Sequence, residues 1–240
     1  MKNLLTIFFL LSLFAFAHAE TFFVKIALNE NSYITLNFNS LDDINIDTRV
    51  KFIARMIREP FIDISAISKD YYNIKVKEGF KQDNKIITQY ELIPIKKDRF
   101  SQIINTSGNL IVRREVYDTN HKLMYSYGYT EKIPDIQPTK KDLKETNLEK
   151  DTLVYKGFQG KLIKKLEDGT IHYIFNDGLN KFSLFIRKNL NDVQTTKSLI
   201  YGNYLLSKKI DNIQYTVIGT IPFEEMEKFL SYIVATDKKQ

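Results

Sequence analysis

The stretch IFNDGLNKFSLFIRK, from Ile174 to Lys188, reads as strand, turn, strand. Asn176-Asp177-Gly178 is turn chemistry, because Asn and Asp bond their own backbone and Gly tolerates positive φ. From Lys181 onward, Phe182, Leu184 and Ile186 fall on one face and Ser183, Phe185 and Arg187 on the other, the period of a strand. No residue in the stretch is placed as an acid, a base or a metal ligand. It describes a sheet, and the flanking sequence extends that sheet in both directions.

Upstream, Leu162 to Phe175 predicts a hairpin with Asp168-Gly169 at its tip. The nearby GFQG at 157–160 is read as a loop. Downstream, SLIYGNYLLSKKIDNIQYTVIGTIP predicts two more strands around Asp211-Asn212. Pro222 suits the first turn of a helix, where its missing N–H costs nothing, and Glu224 and Glu225 favour that positive end. Phe223, Met226, Phe229, Leu230 and Ile233 then share an apolar face that can close over the sheet. This unit is assigned to 152–236.

Ahead of it, PDIQPTKKDLKETNLEKD at 134–151 holds two of the five prolines and few large apolar residues, the composition of a linker. Residues 20–133 form the first unit. Thr21 to Phe38 predicts a hairpin turning at 29–32, and 41–58 predicts a helix that Pro60 stops, with Val50, Ile53, Ala54 and Ile57 on one face. FIDISAI, YYNIKVKEG and KIITQYELIPIKK all alternate and are read as strands. Residues 99–133 predict three more, with turns at 106–109 and 118–121. Two antiparallel-sheet units, each with a covering helix, make the fold class α+β.

The chain begins MKNLLTIFFLLSLFAFAHAE. Lys2, the apolar run from Leu4 to Phe16 and the A-x-A pattern at Ala17 and Ala19 are the three parts of a secretory signal peptide, 1–19, cut after Ala19. The run falls short of the ~20 apolar residues that span a bilayer. Its removal takes away Lys2 and no acid, so the formal charge of +6 becomes +5. Most Lys and Arg are interleaved with Asp, Glu and Asn, a solvated surface rather than a nucleic-acid patch. There is no Cys, so the core alone must hold the fold.

A search for chemistry returns little. His121 lies in a turn and His172 in a strand, and neither has metal-ligand spacing. There is no nucleophile elbow, no phosphate loop and no dinucleotide fingerprint. Asp42-Asp43 and Glu224-Glu225 sit where helix starts favour negative charge. The sequence therefore implies no enzyme, no cofactor and no metal. Tyr125, Tyr127 and Tyr129 alternate along one strand, so their rings share a face. Such a face can wall a lipid or peptide site, or be the inner side of a covered sheet. They are the candidate ligand- or partner-binding residues.

HYIFNDGLNKFSLFIRK, then YGN at 201–203 and YTVIGTIPFEEMEKFLSYI at 215–233, resembles the C-terminal domain of the MucB/RseB family. The matching positions are Asn176, Asp177, Gly178, Leu179, Ser183, Phe185, Thr216, Val217, Gly219 and Pro222. Of these, Asp177, Gly178, Leu179, Gly219 and Pro222 are taken as fold-defining. In the first unit Leu92, Pro94, Asp98, Gly108, Leu110, Arg113 and Asp118 match a region similar to the later strands of a LolA-like half-barrel. The segment 20–70 is shorter than the family's front half. The resemblance, covering about 71–233, implies a periplasmic regulator of an extracytoplasmic-stress sigma factor. Such proteins bind the periplasmic segment of a membrane-anchored anti-sigma factor and shield it from proteolysis. Lipopolysaccharide or lipoprotein acyl chains are the further ligands implied, and homo-oligomerisation is left open. The alternative is a periplasmic lipid or lipoprotein carrier of LolA type.

Overall fold

The computed structural model describes residues 22–39, 60–130, 132–138, 153–188 and 194–237. They form two seven-stranded antiparallel sheets and one long helix. The N-terminal sheet contains β1 (Phe22–Ala27), β2 (Tyr33–Phe38), β3 (Tyr72–Gln82), β4 (Lys85–Pro94), β5 (Ser101–Ser107), β6 (Leu110–Tyr117) and β7 (Leu123–Tyr129). Its spatial order is β2-β1-β7-β6-β5-β4-β3. The meander β3 to β7 follows chain order, and the β1–β2 hairpin adds at the β7 edge with Phe22 opposite Tyr129 and Ile26 opposite Tyr125.

The C-terminal sheet contains β8 (Leu153–Tyr155), β9 (Phe158–Lys165), β10 (Ile171–Asn176), β11 (Lys181–Lys188), β12 (Thr196–Ile200), β13 (Asn203–Ile210) and β14 (Ile213–Gly219). Its order is β12-β13-β14-β11-β10-β9-β8. The helix α1 (Phe223–Asp237) follows β14 and covers one face. Pro222 stands one residue ahead of it, its carbonyl accepting from the N–H groups of Glu225 and Met226 at 3.0 Å each. Met226, Phe229, Leu230 and Ile233 are buried against Phe175, Phe182, Leu184 and Val217.

Three readings change. FIDISAI is not a strand: Asp63 accepts from the backbone N–H and hydroxyl of Ser65, at 2.9 and 2.5 Å, and caps a single 3-10 turn, Ile64–Ala66. A side chain that offers the backbone a local partner competes with a ladder. Phe61 keeps one bridge, to Leu110. GFQG is not a loop, since Phe158, Gln159 and Gly160 open β9 and pair with β8. The segment from Ser198 to Pro222 belongs to three strands rather than two, because Tyr201-Gly202 makes an additional turn with both residues at positive φ. The helix predicted at 41–58 and most of the linker lie outside the described residues.

The two sheets meet end to end. Every turn of the C-terminal sheet at one end faces the N-terminal sheet: 156–157, 177–180, 201–202 and 220–222. They contact the start of β3, the β4–β5 loop, the β6–β7 turn and the end of β1. The far end of the N-terminal sheet is closed by 132–138. There Ile133 N–H donates to Asp83 (2.9 Å), and Lys85 Nζ donates to the Pro134 carbonyl (2.9 Å).

Candidate functional site: the joint and the tyrosine face

The joint is built around Arg99, whose side chain is fully buried. A buried guanidinium is tolerable only when charge and hydrogen bonds replace water. Arg99 Nε donates to Asp98 Oδ1 (2.9 Å), Nη1 to Asp177 Oδ2 (2.7 Å) and Nη2 to the Lys156 carbonyl (2.8 Å). The rings of Tyr71 and Phe158 flank it at 4.5 and 4.6 Å from Cζ to their centroids, a favourable cation–π setting. Burial pulls the Arg99 pKa down, but the Asp98 hydrogen bond and the charges of Asp177 and Asp98 outweigh it and hold the cation firmly protonated.

Asp177 uses both oxygens. Oδ1 accepts from the N–H groups of Leu179 (2.9 Å) and Asn180 (2.6 Å), which shapes the β10–β11 turn. Oδ2 accepts from Arg99 and from the Tyr72 hydroxyl (2.6 Å), which ties that turn to the other sheet. Burial first, and then the Asp177 charge, raise the Tyr72 pKa far above the ordinary tyrosine value, so its proton stays available for this bond. Asn180 completes the frame, donating to the Tyr72 hydroxyl and to the Phe100 carbonyl at 2.9 Å each.

The other motif residues follow from this geometry. Gly178 has φ +91, which only glycine adopts without strain. Leu179 is buried in the core of the N-terminal sheet although it belongs to the C-terminal turn. Its carbonyl accepts from Gln102 Nε2 (3.0 Å) and Arg114 Nη2 (2.8 Å). Gly219 lies flat on β11, where a Cβ would strike the Lys181 carbonyl and stand 2.5 Å from Phe182 Cα. Glu225, read from sequence as a helix-end charge, is also a structural acceptor, taking bonds from Tyr155 Oη and Lys156 Nζ at 2.6 Å each.

Sequence reasoning singled out Asp177, Gly178 and Leu179 and missed Arg99, Tyr72, Asn180 and Gln102. The one available signal was the presence of Asp98 among the matched positions, next to Arg99.

Tyr125, Tyr127 and Tyr129 do share a face of β7, and all are buried: 7%, 3% and 9% exposed. Phe22 packs edge-on against Tyr129 at 5.2 Å and tilted against Tyr127 at 6.0 Å. Burial pushes the pKa of Tyr125 and of Tyr129 up to about 12. Cavities of about 270 and 260 Å³ lie elsewhere, one beside Lys85 and Pro134 and one beside Tyr71, Lys96 and Lys156, and neither is lined by these tyrosines. Among the described residues no group of three His, Cys, Asp or Glu could hold a metal ion. Nor is any helix of the described residues long and apolar enough to cross a membrane.

This architecture, two antiparallel sheets joined through their turns with a helix over the second, is a MucB/RseB-like fold. Solved structures that share it include the following three. The complex of Pseudomonas aeruginosa MucA/MucB is 15% identical, covering 87% of this chain and 89% of that chain, with a TM-score of 0.56. MucB in complex with MucA(peri) is 15% identical, covering 86% and 89%, with a TM-score of 0.55. MucB itself is 14% identical, covering 88% and 90%, with a TM-score of 0.50. The sequence matches no family model and no curated protein. At these identities the fold is what is shared.

Proposed function

We propose that this chain is a periplasmic regulator of an extracytoplasmic-stress sigma factor. It binds the periplasmic segment of a membrane-anchored anti-sigma factor and shields that segment from proteolysis. The observation that carries the reading is the MucB-like fold over nearly the whole chain, including the likeness to structures in which MucB holds MucA. The motif at Asp177-Gly178-Leu179 supports it, because the residues that carry the resemblance are also those that join the sheets. In this reading 1–19 is a cleaved signal peptide, 20–133 a LolA-like domain, 134–151 a linker and 152–236 the C-terminal domain. The protein works as a surface rather than as a catalyst. Tyr125, Tyr127 and Tyr129 are the residues this reading assigns to a partner or an acyl chain.

The test is a pull-down of residues 20–240 from detergent-solubilised envelope of its own organism, read by mass spectrometry. Recovery of a single-span protein with a cytoplasmic sigma-binding segment is the expected result. Recovery of lipids or many lipoproteins without such a partner moves the assignment to a carrier of LolA type.

A further inference from the structure

The seven strands of the C-terminal sheet contain nine Lys and Arg residues and no Asp or Glu. The N-terminal sheet differs, since β4 and β6 also carry Glu91 and Glu115. On the face under α1 the imbalance is answered by the helix: Lys197 Nζ reaches Glu227 at 2.7 Å, and Lys156 at the sheet's edge reaches Glu225 at 2.6 Å. Among the described residues no helix lies over the opposite face.

Register defines that opposite face. One row across it runs Ser198, Leu205, Ile218, Ser183, Ile174 and Lys161, and the next runs Thr196, Ser207, Thr216, Phe185, His172 and Lys164. Arg187, Gln214 and Lys209 continue beyond Phe185 and Thr216. The apolar residues Ile174, Phe185, Leu205 and Ile218 lie half-buried in the middle of this face. Hydroxyls stand between them, Ser207 with Thr216 at 3.1 Å and Ser183 with His172 at 3.1 Å. Lys164 and Arg187 are exposed and Lys209 half-exposed at the margin. Asp168, on the β9–β10 turn, stands 3.5 Å from Arg187.

We infer that this face of the C-terminal sheet, opposite α1, is a docking surface for an acidic, extended polypeptide segment of a partner protein. Charge complementarity names the partner's sign, because a cationic face gains from carboxylates and repels its own kind. A second copy of the chain bound through the same patch would set like charges against each other, so a symmetric pair is disfavoured here. The surface is roughly 30 Å across the strands and 20 Å along them, on the order of 600 Å². That is close to the ~800 Å² each partner contributes to an ordinary specific interface. Interleaved hydroxyls and half-buried apolar residues suit a polypeptide, which brings both amide groups and side chains. A membrane surface would call for large apolar side chains that protrude at the centre. The inference does not depend on the partner being an anti-sigma factor.

The experiment uses the full mature chain and a fluorescein-labelled peptide of alternating glutamate and leucine, about ten residues long so that it spans the sheet. Fluorescence anisotropy reads binding to the wild type, to the triple variant Lys164→Glu, Arg187→Glu, Lys209→Glu, and to a control, Lys75→Glu with Lys81→Glu, on the other sheet. Saturable binding that weakens by about tenfold or more in the triple variant, and not in the control, is the expected result. Circular dichroism confirms that each variant folds, and Lys→Gln and Arg→Gln versions replace any that does not. No binding by the wild type, equal binding by the triple variant, or displacement of the peptide by phosphatidylglycerol vesicles overturns the inference. Peptide binding at this face combined with a pull-down that finds no anti-sigma factor leaves the inference standing and removes the proposed function.

Discussion

The two sheets bury their aromatic rings in opposite ways. In the C-terminal sheet Phe158, Phe175, Phe182 and Phe229 pair with one another at centroid distances of 4.8 to 5.0 Å, stacked or edge-on. They form a phenylalanine-rich cluster covered by α1, with Tyr155 at its edge donating to Glu225. In the N-terminal sheet the inner face holds three tyrosines together with Gln102 and Arg114. The first arrangement maximises apolar burial and ring contact. The second keeps polar groups inside and binds part of them to the other sheet, through Leu179. The C-terminal sheet is thus a self-sufficient platform, and the N-terminal sheet depends on what is docked against its end.

The joint tests that dependence most severely. Arg99→Ala leaves Asp98 and Asp177 without their buried cation, and breaking a buried pair from one side costs about 3–5 kcal/mol. Urea unfolding followed by tyrosine fluorescence measures the loss, and the N-terminal sheet is expected to unfold first. Phe229→Ala removes a ring from the phenylalanine cluster at a cost of about 3–5 kcal/mol, with the C-terminal sheet now yielding first. Equal loss in both sheets for either substitution would erase the distinction drawn between them.

Gly219→Ala sharpens the comparison at smaller scale. A methyl group there meets the β11 backbone, which cannot rotate away as a side chain would, and overpacking of this kind costs about 1–3 kcal/mol. Thermal melts of the pure variant measure it.

The buried tyrosines respond to alkali. Tyr125 and Tyr129 have pKa values raised to about 12 by burial. A raised pKa favours the protonated folded state, so their contribution is complete below the ordinary value of about 10 and is lost as pH rises from there toward 12. Melting temperature should fall across that window, and absorbance at 295 nm should show these phenols titrating after the exposed ones. The smallest effect is expected at the outer face of the N-terminal sheet. Lys77→Ala removes an exposed partner of Glu91, 2.7 Å away, at a cost of about 0.2–1 kcal/mol.

Much of the strand pattern was legible because alternation and turn chemistry agree. Asp168-Gly169, Asn176-Asp177-Gly178 and Asp211-Asn212 each mark a turn that the structure contains. FIDISAI misled because its alternation is equally suited to a strand, and only the Asp63 side chain, bonding Ser65, decides otherwise. The joint could not be read. Tyr72 and Asp177 lie 105 positions apart, and Tyr72 and Asn180 lie 108 apart, so no local pattern connects them. Periodicity placed the tyrosines on one face, but it carries no information about what covers that face. The acid-free strands were countable from the sequence, yet their charge acquires a location only when register separates the helix side from the opposite side.

The proposal that this protein shields a partner is tested most directly by the cleavage of that partner. The periplasmic segment of the protein recovered by pull-down is incubated with a site-specific protease, with and without residues 20–240. Only free segment should be cut, so the rate is expected to fall to about a tenth when the protein is present at about ten times its Kd. An unchanged cleavage rate at saturating protein would contradict the account.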